Sequence, residues 1–177
     1  MKAYALIPLS LGLIMALAGC ATAAPGLKGV DGFDKTKYLG AWYEIARFDF
    51  VFEKGLDNTM AEYSPAKDLR YISVRNSGTE IATGKRKVAL GRARFRGPET
   101  AGELEVSFFG PFWAEYTVLA LDGEYRYALI GGKDKRYLWI LSRTPTIQEA
   151  VKNEYVAIAG SLGFETEKLL WVSQSPK

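Results

Sequence analysis

Between Trp42 and Leu141 the chain is divided into short runs of strand character by turn residues about every ten positions, the spacing of a β-sandwich or barrel. Alternation is strict from Glu103 to Phe108. There Glu103, Glu105 and Ser107 fall on one face of a strand and Leu104, Val106 and Phe108 on the other. Further strands are predicted at Trp42 to Phe50, Thr59 to Ser64, Arg70 to Arg75, Val88 to Phe95, Tyr116 to Leu121, Tyr125 to Ile130 and Tyr137 to Leu141, which makes eight. Asp122-Gly123 predicts a tight hairpin between two of them, because that pair suits positive φ angles. One segment changes period. Thr146-Ile147-Gln148-Glu149 reads as a capping box behind Pro145. Ile147, Ala150, Val151, Tyr155, Ile158 and Leu162 then form one apolar stripe, and Gly163 is the natural stop. A short final strand follows at Leu169 to Ser173. The pattern predicts an all-β fold: an eight-stranded up-and-down antiparallel β-barrel, one C-terminal α-helix packed outside it, and a cavity sized for one ligand.

The start of the chain follows a different rule. From Ala3 to Ala18, 13 of 16 residues are hydrophobic, behind Lys2. That run is shorter than the roughly 20 residues a membrane-spanning helix needs, and it reads as the core of a secretory signal. Leu17-Ala18-Gly19-Cys20 resembles the bacterial lipobox, whose Cys is acylated as the signal is removed. The resemblance implies a signal peptide over 1–19, an acylated Cys20, a flexible tether over 20–32 rich in Gly and Pro, and a barrel domain over 33–177. Ala21 stands where an Asp would retain a lipoprotein at the inner membrane. The implied place is therefore the outer membrane of a Gram-negative cell, with the domain in the periplasm.

Composition narrows the chemistry further. The 177 residues fit one domain, and 23 Lys+Arg against 20 Asp+Glu give a net charge of +3, too small and dispersed to argue for nucleic acid. With no His and a single Cys, histidine-based zinc sites, Ser-His-Asp and Cys-His nucleophiles and an internal disulfide are all excluded. No enzyme activity, cofactor or metal is expected, and a cysteine used for anchoring leaves a domain with neither thiol nor imidazole.

The strand residues carry a second resemblance. Gly40-Ala41-Trp42-Tyr43-Glu44 resembles the lipocalin Gly-x-Trp motif, Asp122 to Tyr125 falls at that family's second conserved turn, and Leu141-Ser142-Arg143-Thr144-Pro145 resembles its third. Tyr43 to Phe48, Phe108-Phe109-Gly110-Pro111-Phe112 and Tyr137 to Leu141 make the chain similar to the bacterial outer-membrane lipocalins and apolipoprotein D. Gly40, Trp42 and Arg143 are then implied to be structural, with the Trp plugging the closed end and the Arg stacked across it. The chain departs from that subgroup between Asn76 and Gly97, in a stretch rich in Lys and Arg.

Parity assigns the lumen. With Trp42 inward, strict alternation carries Glu44, Ala46 and Phe48 inward too. On the next assignable strands the uncharged faces, Gly91, Ala93 and Phe95, then Leu104, Val106 and Phe108, are internal, leaving Arg92, Arg94 and Arg96 outside. Tyr116, Val118, Tyr127, Leu129, Trp139 and Leu141 complete the expected lining. Glu44 on an apolar face requires a hydrogen-bonded, hydrated or protonated carboxyl. Candidate ligand contacts are Glu44, Phe48, Ala93, Phe95, Val106, Phe108, Tyr116, Val118, Tyr127 and Trp139. Alternate turns share the open end and put Phe50, Phe52, Phe112, Trp113, Lys87 and Lys133 at the mouth. An apolar mouth set with cations suits a fatty acid or lysophospholipid whose tail enters the barrel, and the lipocalin resemblance implies a role in outer-membrane maintenance or stress. The alternatives are a side-chain-filled barrel in a structural or partner-binding lipoprotein, and a homodimer interface made from the same aromatics.

Overall fold

Each alternating run forms a strand because one of its faces is covered, and short hairpins keep neighbours in sequence adjacent in space. The computed structural model of the protein describes residues 26–175, so the expected signal peptide, Cys20 and most of the tether lie outside the described residues. The strands are β1 (Gly40–Phe48), β2 (Leu56–Pro65), β3 (Ile72–Glu80), β4 (Arg86–Phe95), β5 (Glu103–Ser107), β6 (Ala114–Leu121), β7 (Tyr127–Gly131), β8 (Leu138–Ser142) and β9 (Leu169–Trp171). A one-turn helix α1 (Lys35–Tyr38) precedes them, and α2 (Glu149–Ser161) lies between β8 and β9. All pairings are antiparallel in sequence order from β2 to β8. Strand β1 pairs with both β8 and β2, which closes the barrel.

Closure is incomplete along β1. Only Gly40–Tyr43 pair with β2; beyond them β9 lies against Ala46, Arg47 and Phe48. The C-terminal residues fill the fork: the Val172 amide donates to the Ile45 carbonyl, and the Gln174 side-chain amide donates to the Glu44 and Thr59 carbonyls, both at 2.8 Å.

Two apolar clusters result. One fills the barrel around Trp42, Tyr63, Leu104, Tyr116 and Val118. The other lies outside, where Tyr155, Ala159 and Phe164 of the helical segment cover Ile45, Phe48, Leu129 and Ile140. The helix itself starts later than the capping box predicts: its N-cap is Gln148, with no side-chain bond. The hydroxyls of Ser142 and Thr144 both donate to the Thr146 carbonyl and tie residues 142–146 to the end of β8. Its end is as expected, with Gly163 at φ +82°. The Asp122-Gly123 turn also differs. Asp122 begins a five-residue loop and accepts the amides of Arg126 and Tyr127, and the positive-φ residue is Tyr125, not Gly123.

The end of the expected tether is docked. Val30 donates to Val118 at 2.9 Å, Gly102 donates to Val30 at 2.8 Å, and Phe33 donates to Thr100 at 2.8 Å. Gly29 is needed for this contact, since a Cβ there would sit 2.6 Å from the Gly102 carbonyl.

Candidate functional site

The closed end is built from the N-terminal residues of the barrel. Asp34 caps α1 by accepting from the Thr36 and Lys37 amides, and this turn lays Tyr38 over the barrel floor. The Trp42 indole donates to the Tyr38 carbonyl at 2.9 Å, and the Arg143 guanidinium stands 3.8 Å over the Trp42 ring. Arg143 also donates to the carbonyls of Lys37, Tyr38, Leu39, Ala41 and Tyr125. Such a cation–π contact contributes about 0.5–2 kcal/mol, but the carbonyl bonds give Arg143 its wider effect: five separate backbone points are held by one side chain. Gly40 has φ +98°, and a Cβ would lie 3.2 Å from the Arg143 guanidinium. Above this floor the Tyr116 hydroxyl meets those of Tyr38 (2.6 Å) and Tyr63 (2.9 Å), and burial raises all three phenols above their usual range. The lower half of the barrel is therefore filled.

The upper half is different, and an irregularity in β1 decides its chemistry. Glu44 pairs with Leu141 but Ala46 pairs with Ile140, so Ile45 is an extra residue and parity reverses beyond it. Ala46 and Phe48 turn outward into the helix-covered cluster, with Phe48 packed on Phe164, which corrects the expectation that they line the lumen. Arg47 turns inward and is fully buried. It donates to the carbonyls of Glu53 (2.8 Å) and Leu56 (2.9 Å) and lies 3.8 Å from the Glu44 carboxylate and 3.4 Å from that of Glu53. The Trp139 indole donates to Glu53 at 3.2 Å. Two carboxyls thus share one guanidinium. Burial pushes both up, Glu53 well above the usual carboxylate range with the neighbouring Glu44 charge as the second cause. Glu44 Oε2 has no hydrogen-bond partner. An isolated ion here would cost several kcal/mol of desolvation, which favours the protonated form of the two carboxyls over a second full negative charge.

Facing this polar wall of β1 and β2 is an apolar one. Ala93, Leu104, Tyr116, Val118, Ile130 and Leu141 join the barrel cluster, with Phe95, Val106, Phe108 and Trp139 packed against it. Phe95 sits low, its ring 5.9 Å from Phe33 of the closed end. Gly91 lies against the Phe108 ring, where a Cβ would be 2.7 Å away. Tyr127 and Leu129 do not line the lumen as expected. They face the helix, and Ala128 and Ile130 point inward instead. Every residue of β7 is buried, one face by the lumen and the other by α2, so alternation there carries no signal.

The turns at 49–55, 81–85, 108–113 and 132–137 share the open end. Phe50 packs edge-on against Trp139 and Tyr137, both at 5.4 Å, and Phe52 lies 5.9 Å from Phe109. Phe112 is exposed; Lys87 lies 3.5 Å from Glu80 and Lys133 lies 3.8 Å from Glu115. Trp113, expected at the mouth because its turn shares the open end, does not line it. It lies on the outer wall, stacked on Tyr71 at 6.2 Å with Arg94 4.1 Å over its ring and Arg92 5.3 Å away. The basic stretch of β4 is thereby accounted for: Arg92 and Arg94 stack on aromatics, and Arg94 and Arg96 pair with Glu105, Glu103 and Glu115. Arg47, Glu53, Tyr38 and Tyr63 were not anticipated as lumen groups. For Glu53, in an exposed-looking turn, nothing in the sequence signals its burial.

An eight-stranded barrel plugged by a Gly-x-Trp tryptophan under an arginine, with a helix on its flank, defines the class, and the chain belongs to the lipocalin family: the Lipocalin-like domain matches residues 33–174. The outer membrane lipoprotein Blc of Escherichia coli K12 is 48% identical over 160 residues, covering 89% of this chain and 90% of that protein. Apolipoprotein D of Mus musculus is 31% identical over 158 residues, covering 82% and 79%. Among solved structures, insecticyanin from the tobacco hornworm Manduca sexta superimposes with a TM-score of 0.67 at 25% identity, covering 86% of this chain and 87% of that one.

Proposed function

We propose that this lipocalin is an outer membrane lipoprotein, anchored through Cys20, that carries a single-tailed lipid, a fatty acid or lysophospholipid, in the upper half of its barrel, and that it is a carrier and not an enzyme. The similarity to a protein named for that location and that modification supports the anchor. The observation that carries the ligand reading is the apolar wall from β4 to β7, which suits a tail, under a mouth where Lys87 and Lys133 suit an anionic head. The aromatic mouth at Phe50, Phe52, Phe109 and Trp139 is the entry. Titrating delipidated protein with a fluorescent fatty acid should quench Trp139 saturably, and a lysophospholipid should displace the probe. The filled closed half, with Tyr38, Trp42, Tyr63 and Tyr116 packed together, favours a second reading, a structural lipoprotein with no ligand. A titration without a saturable, displaceable signal selects it.

A further inference from the structure

Exposed apolar side chains are distributed unevenly between the two ends of the barrel. Val51, Phe52, Ile81, Phe109 and Phe112 are between 64% and 78% exposed, and all lie in three of the four open-end turns. The fourth carries Lys133, Lys135 and Arg136, and Lys54 and Lys85 stand beside the apolar groups. In the closed-end turns, by contrast, Leu69 is the one large apolar side chain exposed among the described residues. An apolar crown set with cations is the surface that an interface of lipid tails and anionic headgroups accepts.

The path of the N-terminal segment gives this crown an occupant. Leu27 lies against Gly131, at the open-end tip of β7, beside Phe164. Phe164 in turn packs on Phe48, at the open end of β1. From there the chain descends along the barrel wall, through Val30 against Val118, to Phe33 at the closed-end turn around Thr100. The described chain therefore begins on the open-end side. Only five residues lie between Cys20 and Gly26, and the six steps between them reach about 20 Å at full extension.

We infer that the barrel sits mouth down on the bilayer that holds its acyl chains, with Val51, Phe52, Phe109 and Phe112 dipping into the lipid surface. The inference rests on the reading of Cys20 as the lipidated residue. A lipid then passes between bilayer and lumen without crossing water, and a short anchor serves this geometry because it leaves the domain little freedom to turn over.

The test uses the full chain, processed in a Gram-negative host and reconstituted into phosphatidylethanolamine–phosphatidylglycerol vesicles. Cys20 is the chain's single cysteine, so acylation leaves Phe112→Cys or Leu69→Cys as the one free thiol for a fluorophore. The label at 112 should be quenched several-fold more by lipid-borne nitroxide than the label at 69, and aqueous iodide should give the reverse order. Equal iodide quenching at both sites, with the protein still sedimenting with vesicles, overturns the orientation. A label at 112 shielded from both quenchers also overturns it, and assigns the crown to a second copy of the chain. The mass of the N-terminal peptide reads the anchor separately: an unmodified Cys20 removes the reading on which the inference stands.

Discussion

Ile45, the extra residue of the β1 bulge, exchanges a phenylalanine for an arginine inside the barrel, because a one-residue slip moves every later side chain to the opposite face. The exchanged arginine brings Glu44 and Glu53 together, and this gives the folded state a pH dependence. Both carboxyls are raised above the ordinary value of 4.5, so from there upward the folded chain binds more protons than the unfolded one and stability falls as pH rises. Glu53→Gln keeps an oxygen to accept from Trp139 and supplies an amide donor to Glu44, while removing one titration. Urea unfolding between roughly pH 5 and 8 should show a flatter decline in the variant, by at most about 1.4 kcal/mol per pH unit. Parallel curves would show that Glu53 is not the group that holds the proton. At this scale the sequence is only partly readable. Glu44 is identifiable because a carboxylate on an apolar face demands explanation, whereas a bulge has no residue signature that parity can detect.

Among the elements, those with one wet face were predictable and those with two buried faces were not. From Gly91 on, β4, like β5, keeps outward Arg or Glu opposite an uncharged inner face, and these lumen residues follow from alternation. Strand β7 lies under α2, where apolar residues occupy both faces and the smaller one, Ala128, turns inward, and the second half of β1 is likewise buried on both faces, with Arg47 inward. The segment before α1 misleads for another reason: its glycines read as flexibility, yet Gly29 is there for close approach to Gly102. Gly29→Val should expel the segment, breaking the Val30 bonds to Val118 and Gly102 at a cost of about 1–3 kcal/mol. Brief trypsin treatment should then cut at Lys28 and Lys35 well before the barrel is degraded. If both sites stay as resistant as in the parent, the segment is not held by this contact.

At the scale of the whole molecule, the barrel has a closed, packed floor, and uptake in the proposed role depends on the half above it. The architecture was readable in full from periodicity, because eight alternating runs with short turns leave few other ways to cover their apolar faces. The height of the floor was not, since the floor is made by the tyrosine hydroxyl cluster and by α1, neither of which has a periodic signature. This separation allows uptake to be blocked without disturbing the fold. Ala89 shares the inward face of β4 with Gly91 and Ala93, yet it is exposed, so it borders the mouth and not the floor. Ala89→Trp should obstruct entry while sparing the packing of Trp42, Tyr116 and Leu104, leaving the thermal midpoint of delipidated protein within a few degrees of the parent. Fatty-acid uptake should fall at least about tenfold, equivalent to about 1.4 kcal/mol. The parent should also gain thermal stability when lipid is added, as any protein does whose folded state alone binds a ligand, and the variant should not. A variant that binds and is stabilised as well as the parent would place the lipid somewhere other than the lumen beneath Ala89.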